Sequence, residues 1–276
     1  LLDSLQHLCL MHGMEVDYYK KLFQTIGNII KLIEKDDMPK YLLFLENAFP
    51  YMDNYNYHKG MNGIIQELKC LLKTKNIGTD SDQALLLDFQ AALETKPEKA
   101  IKLEKDALAQ IENITADNAR LVSNLHANLG GLYRMNGHPD LAREHMEKSI
   151  SLLDQFNLLH INDSIPQIAN YAMFLTEQQE PERGISELQK LSGIIKEYHS
   201  DDCLDYAKVQ ETLGTIYLMT ANLPQAKTHF KRAFKIYEKI WADEPEMIEA
   251  KYQEIQELYP QIGFCIGKNL SGLLTK

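Results

Sequence analysis

Several absences narrow this 276-residue chain before any motif is read. No apolar run approaches the roughly 18 residues that a membrane-spanning helix needs. Tryptophan occurs once, and the four cysteines (Cys9, Cys70, Cys203 and Cys265) are scattered without a C-x-x-C pair. Such spacing points to neither a zinc site nor a disulfide framework. It predicts reduced, mostly buried thiols in a cytoplasmic protein. Basic residues are in the minority: 29 Lys and Arg against 39 Asp and Glu leave a net charge of −10. A surface of that sign does not release counterions from phosphates, which argues against general nucleic-acid binding. Also missing are strand patterns with hairpin turn signals, glycine-rich phosphate loops, a G-x-S-x-G elbow and an H-E-x-x-H helix.

The few residues that suggest chemistry are better explained by structure. His7, Cys9 and His12 resemble a metal cluster, but on one helix His7 and His12 diverge by about 140° at 100° per residue. The acid pairs Asp36-Asp37 and Asp201-Asp202 precede predicted helices, where capping accounts for them. Phe49, Tyr51, Tyr55 and Tyr57 form an aromatic cluster best read as packing between helices. Trp241 follows a helix end and is expected to pack beneath the next loop. No cofactor, metal or enzymatic activity is expected.

What the chain does have is a period. Ala100, Ala142, Gly184 and Ala226 stand 42 residues apart, and Pro97, Pro139 and Pro181 keep the same interval, with Pro224 one residue late. A small residue at a fixed interval marks a place where two helices touch. A proline three residues earlier marks a helix start, where its missing N–H costs nothing. Around them, Leu129, Tyr133, Met146 and Ile150 recur at three- and four-residue spacing, one apolar stripe per helix. Gly130 and Gly214 lie mid-helix, a cost of about 1 kcal/mol that close helix approach would offset. A lone hairpin cannot bury such stripes, so neighbouring hairpins must.

Leu129-Gly130, Tyr133, Ala142, Met146 and Ser149, with Leu213-Gly214, Tyr217, Ala226, Phe230 and Ala233, resemble the tetratricopeptide repeat. The usual unit has about 34 residues. The 42-residue unit is similar to the longer repeats of kinesin light chains and of bacterial helical sensor proteins, and Ile236-Tyr237-Glu238-Lys239 before Asp243-Glu244-Pro245 strengthens that likeness. The fold expected is all-α: a right-handed solenoid of antiparallel helix pairs. Degenerate N-terminal helical repeats occupy residues 1–78, with helices at 1–11 and 16–34. Four 42-residue repeats occupy 79–246, and capping helices 247–276, in one continuous solenoid with short loops that include 36–39.

The resemblance implies a concave groove lined by the first helix of each pair, here 122–136, 164–178 and 206–220. Asn128, Asn170 and Thr212 then share one groove column. An amide offers a donor and an acceptor together, so it can pair with both backbone groups of an extended peptide. Asn124 lies one turn before Asn128 on the same face. Arg134, Met135, Met173, Glu177, Thr215 and Met219 follow, the methionines as adaptable apolar contacts and Arg134 as a partner for a carboxylate. The competing reading has Asn128 and Asn170 bonding neighbouring helices. Lys227, Lys231, Arg232, Lys235 and Lys239 are read as a solvated face. The function expected is a non-enzymatic module binding protein or peptide. The chain starts without methionine and without a signal-peptide pattern, so we expect it to be the sensor part of a larger bacterial signalling protein whose effector precedes it. The alternative is a self-associating scaffold, such as a homodimer formed through residues 1–11.

Overall fold

A computed structural model describes residues 38, 40–42, 45, 58–161 and 164–258. The expected helices at 1–11 and 16–34, the His7–Cys9–His12 group, Asp36-Asp37, the Phe49 to Tyr57 cluster and the terminal helix after Gly263 lie outside the described residues. Among the described residues from 58 onward there are ten helices: α1 (His58–Lys75), α2 (Asp80–Ala92), α3 (Pro97–Gln110), α4 (Ala119–Met135), α5 (Pro139–Gln155), α6 (Ser164–Glu177), α7 (Pro181–Tyr198), α8 (Leu204–Met219), α9 (Leu223–Ile240) and α10 (Pro245–Leu258). No strand occurs among the described residues, and none of their helices is long and apolar enough to cross a membrane. The fold is all-α, as the periodicity requires. Of the expected loop at 36–39, only Met38 is described, and it is helical and 1% exposed. Met38 is a large apolar side chain, and its burial favours helix at that position over the linker that the local sequence suggests.

The chain divides into two compact units, Leu1–Ala142 and Arg143–Lys276. In the first, α2 packs on α1, α3 and α4, and α3 packs on α4. In the second, α6 pairs with α7 and α8 with α9, while α8 also packs on α6 and α7, and α10 packs on α9. Within each unit, a second helix thus meets both its partner and the helix that follows, as stacked hairpins do.

The 42-residue period survives in the geometry. The second helices α3, α5, α7 and α9 start at residues 97, 139, 181 and 223, so the last keeps register although its proline falls one residue late. The preceding turns are equally regular. Gly137, Gln179 and Ala221, again 42 apart, have φ of 74°, 65° and 58°. Each turn closes with two backbone bonds, for example Glu180 N–H to Leu175 O (2.8 Å) and Gln179 N–H to Thr176 O (3.1 Å). This is a Schellman closure, which satisfies the orphan carbonyls at the helix end. Length varies instead between hairpins, where loops of differing length separate one pair from the next.

The small-residue column is a contact column. Ala100, Ala142 and Ala226 are at most 2% exposed. A Cβ added at Gly184 would lie 2.6 Å from the Ala172 carbonyl oxygen, so α6 and α7 touch backbone to side. Mid-helix Gly214 works alike: its missing Cβ leaves room for the Phe230 ring, which would otherwise sit 2.9 Å away. The second unit's core runs from Ile165, Ile168 and Ala172 through Leu188, Leu191, Tyr206 and Leu213 to Phe230, Phe234 and Tyr237. Trp241 caps α9 and stacks on Tyr237 with centroids 4.8 Å apart, packing on its own helix end.

Two local expectations need correction. Asp202 does not cap α8. The Cys203 sulfur does, accepting from Tyr206 N–H at 3.4 Å, and Asp202 pairs with Lys239, whose ammonium holds its carboxyl below the usual range. Nor are the two described cysteines buried: Cys70 is exposed and Cys203 half-buried. Composition ranks cysteine as a core residue, but Cys203 serves a helix end and Cys70 falls on the outer face of α1.

Candidate functional site

In the second unit, the first helices α6 and α8 carry Asn170, Met173, Glu177, Thr212 and Thr215. Asn170 and Glu177 are exposed; Met173, Thr212 and Thr215 are half-buried. Thr212 Oγ1 donates to the Lys208 carbonyl of its own helix at 3.0 Å, so its hydroxyl is engaged locally. Asn170 stands outside a helix whose inner face is closed by Ile168, Tyr171, Phe174 and Leu175. That face is held by side-chain bonds to α5: Ser149 Oγ donates to Gln167 Oε1 (2.6 Å), and Tyr171 Oη donates to Glu147 Oε1 (2.9 Å).

The turn between α6 and α7 is clamped by charge. Arg143 and Arg183 both reach Glu180, at 2.6 and 2.5 Å, and hydrogen bonds from Arg183 and then Arg143 hold its carboxyl below the usual range. Arg143 also lies over the Phe174 ring at 5.5 Å. A second network joins α8, α9 and α10. Tyr237 Oη donates to Glu211 Oε2 (2.6 Å), and Lys251 Nζ meets Glu211 Oε1 (2.9 Å). Burial, then the adjacent Glu211 carboxylate, pushes the Tyr237 hydroxyl up. These networks fix helix spacing without presenting a reacting group. The Lys227, Lys231, Arg232, Lys235 and Lys239 positions are exposed, as a solvated face should be.

In the first unit, α4 carries Asn124, Asn128 and Arg134; Asn128 is exposed and the other two are half-buried. Asn128 does bond a neighbouring helix: its Nδ2 donates to Asp88 Oδ1 on α2 at 2.8 Å. It also hydrogen-bonds the Glu104 carboxyl of α3. Glu104 is 2% exposed, and its Oε2 has no hydrogen-bond partner among the described residues. Burial, and then the Asp88 carboxylate, raise Glu104 well above the usual carboxylate range, while the Asn128 bond pulls the other way.

Sequence reasoning singled out Asn128 and missed both acids. The signal was present in the period. Glu104 falls 42, 84 and 126 residues before Met146, Leu188 and Phe230, a column at most 4% exposed and otherwise apolar. A separate cavity of about 540 Å³ is lined by Lys69, Leu72, Ile77, Leu86, Leu87 and Gln110, and by none of Asp88, Glu104 and Asn128. Among the described residues, no group of three or more His, Cys, Asp or Glu side chains is placed to hold a metal ion.

The tetratricopeptide repeat family matches residues 164–239, which span α6 to α9. A search of curated proteins by sequence found no match. Among solved structures, BtubC (BKLC) from P. vanneervenii is 17% identical over 82% of this chain and 84% of its own, with a TM-score of 0.53. A Podosopora anserina putative kinesin light chain with nearly identical TPR-like repeats is 13% identical over 71% and 96%, again at 0.53. A Rap protein complexed with Competence and Sporulation Factor is 15% identical over 96% and 74%, at 0.54. At such identities the likeness is one of fold. Residues 164–239 thus match the tetratricopeptide repeat, and the 42-residue period and paired helices of the described chain share the fold of these repeat proteins.

Proposed function

We propose that this chain is a non-enzymatic binding module that takes an extended peptide or protein segment on the first-helix faces of its repeats. The carrying observation is the placement of Asn170 and Asn128. They stand 42 residues apart, each exposed on a helix whose other side is closed by apolar packing. The Asn170 amide can meet backbone C=O and N–H of a ligand, with Met173 and Thr215 supplying apolar and hydroxyl contacts beside it, whereas Asn128, which holds Asp88, marks the ligand-facing rim of the first unit. Asn124 and Arg134 play the corresponding parts in the first unit. The Rap protein, similar in fold across nearly the whole of this chain, is known in complex with a factor, which supports a ligand-receiving role. We place the module in the cytoplasm, as the sensor or interaction part of a larger bacterial signalling protein.

Selection from a displayed library of random twelve-residue peptides tests this reading. Enriched peptides should bind the purified chain saturably, and Asn170→Ala or Asn128→Ala should weaken binding of peptides seated in the corresponding unit tenfold or more. Thermal stability of Asn170→Ala should stay unchanged. Failure to enrich any peptide, or equal binding by both variants, refutes it. The scaffold reading is favoured by exposed apolar side chains near the hairpin turns, among them Met135, Leu141, Met219 and Leu223. Light scattering distinguishes it: a mass that doubles with concentration would supersede the peptide-binding role.

A further inference from the structure

The repeat columns isolate one pair of residues that breaks the pattern twice. Asp88 occupies the column of Gly130, Ala172 and Gly214, where a small residue admits the second helix. Glu104 occupies the column of Met146, Leu188 and Phe230, the apolar side chain that enters that space. Gly214 and Phe230 are in direct contact, so the two columns face each other by construction. In the first described repeat, therefore, an apolar contact has been exchanged for two facing carboxyls. Such an exchange costs stability, because a buried acid must either lose its charge or find a partner. Local rules are broken in this way chiefly where function needs it.

We propose that Asp88, Glu104 and Asn128 form a seat for a cationic side chain, arginine or lysine, of a peptide bound on the first unit. The inference rests on the peptide-binding reading above and specifies the chemistry of one ligand residue. Asp88 is half-exposed and is the entry; Asn128 is exposed at the rim and holds Asp88 Oδ1 at 2.8 Å; Glu104 is the floor, its Oε2 buried with no hydrogen-bond partner among the described residues. The helices packed on α3 are α2 and α4. The charged group facing Glu104 from α2 is Asp88, and α4 faces it with the neutral Asn128. In the free protein the two acids hold one proton between them, since facing carboxylates out of water do not both ionise. A guanidinium entering the seat supplies the positive charge instead, and the proton leaves to solvent. Two charge-assisted hydrogen bonds then replace one.

The test uses arginine-containing peptides enriched from the random twelve-residue library, because arginine does not titrate in the range examined. Peptides that bind the first unit should share a fixed arginine or lysine. Affinity should rise with pH between 6 and 8, by up to tenfold per unit if one proton is released per peptide bound. Calorimetry in phosphate and in Tris should report that proton as a buffer-dependent enthalpy. Glu104→Gln should lower affinity tenfold or more and remove both the pH dependence and the buffer dependence. Glu104→Met, which restores the residue of the next repeat and so favours folding, should do the same with a melting temperature at or above wild type. Enriched peptides lacking a fixed cation overturn the seat and leave peptide binding standing. So does an affinity that is flat with pH, or one that both Glu104 variants retain. If no peptide is enriched, the seat and the peptide-binding reading fail together.

Discussion

The same substitution made twice in one helix should have opposite signs. Gly184 and Gly193 both lie in α7, and alanine relieves either of the helix cost of glycine, about 1 kcal/mol. At Gly193 nothing lies within 4 Å of the new Cβ, so Gly193→Ala should raise stability by roughly that amount. At Gly184 the new Cβ would sit 2.6 Å from the Ala172 carbonyl oxygen and 3.2 Å from its carbonyl carbon and Cα. These are backbone atoms, which cannot rotate away, so α6 and α7 must separate. Overpacking of a tight core contact costs about 1–3 kcal/mol, and against rigid backbone atoms it cancels or outweighs the propensity gain. The net expectation for Gly184→Ala is a loss of up to about 2 kcal/mol, or up to several degrees in melting temperature for a domain of this size. Urea denaturation followed by circular dichroism, with both variants at equal slope, measures the difference directly. A rise in stability for Gly184→Ala equal to that for Gly193→Ala would refute the reading of the 42-residue column as a helix contact.

Other expectations follow from single contacts. Gln179 and Ala221 hold φ near 60° without being glycine, so Gln179→Gly and Ala221→Gly should each stabilise by about 0.5–1 kcal/mol in the same assay, the relief of strain exceeding the added chain entropy. Glu104 has its folded-state pKa raised, so the native state keeps a proton that the unfolded chain loses above about pH 4.3. Its cost therefore grows as pH rises above that value, at most about 1.4 kcal/mol per unit, and the advantage of Glu104→Met over wild type should be larger at pH 8 than at pH 5. Equal differences at the two pH values would show that Glu104 is ionised in the folded protein. Tyr237→Phe removes the bond to the Glu211 carboxylate and should cost about 1.5–3 kcal/mol, with Lys251→Met additional to Tyr237→Phe by less than its own single effect.

Local pattern carried most of the architecture. Proline at helix starts, small residues at contacts and apolar stripes at three- and four-residue intervals are properties of each hairpin by itself, so a linear reading recovers α3 to α9 and their register. Asn128 and Asn170 were legible for the same reason: their column is a matter of counting. What counting could not decide was which groups meet. The Asp88–Glu104–Asn128 cluster joins three helices across 40 residues, and its meaning depends on a burial that no single helix imposes. The Arg143–Glu180–Arg183 clamp and the Tyr237–Glu211–Lys251 network likewise depend on distances between helices. Cys203 and Asp202 were misread because a cap and an ion pair are chosen by fractions of an ångström at one turn. Periodicity is written along the chain, and so the sequence alone determined the repeat and the helices. The charge state of a carboxyl is set by what lies around it in three dimensions, and so only the tertiary structure decided which acid the chain buries.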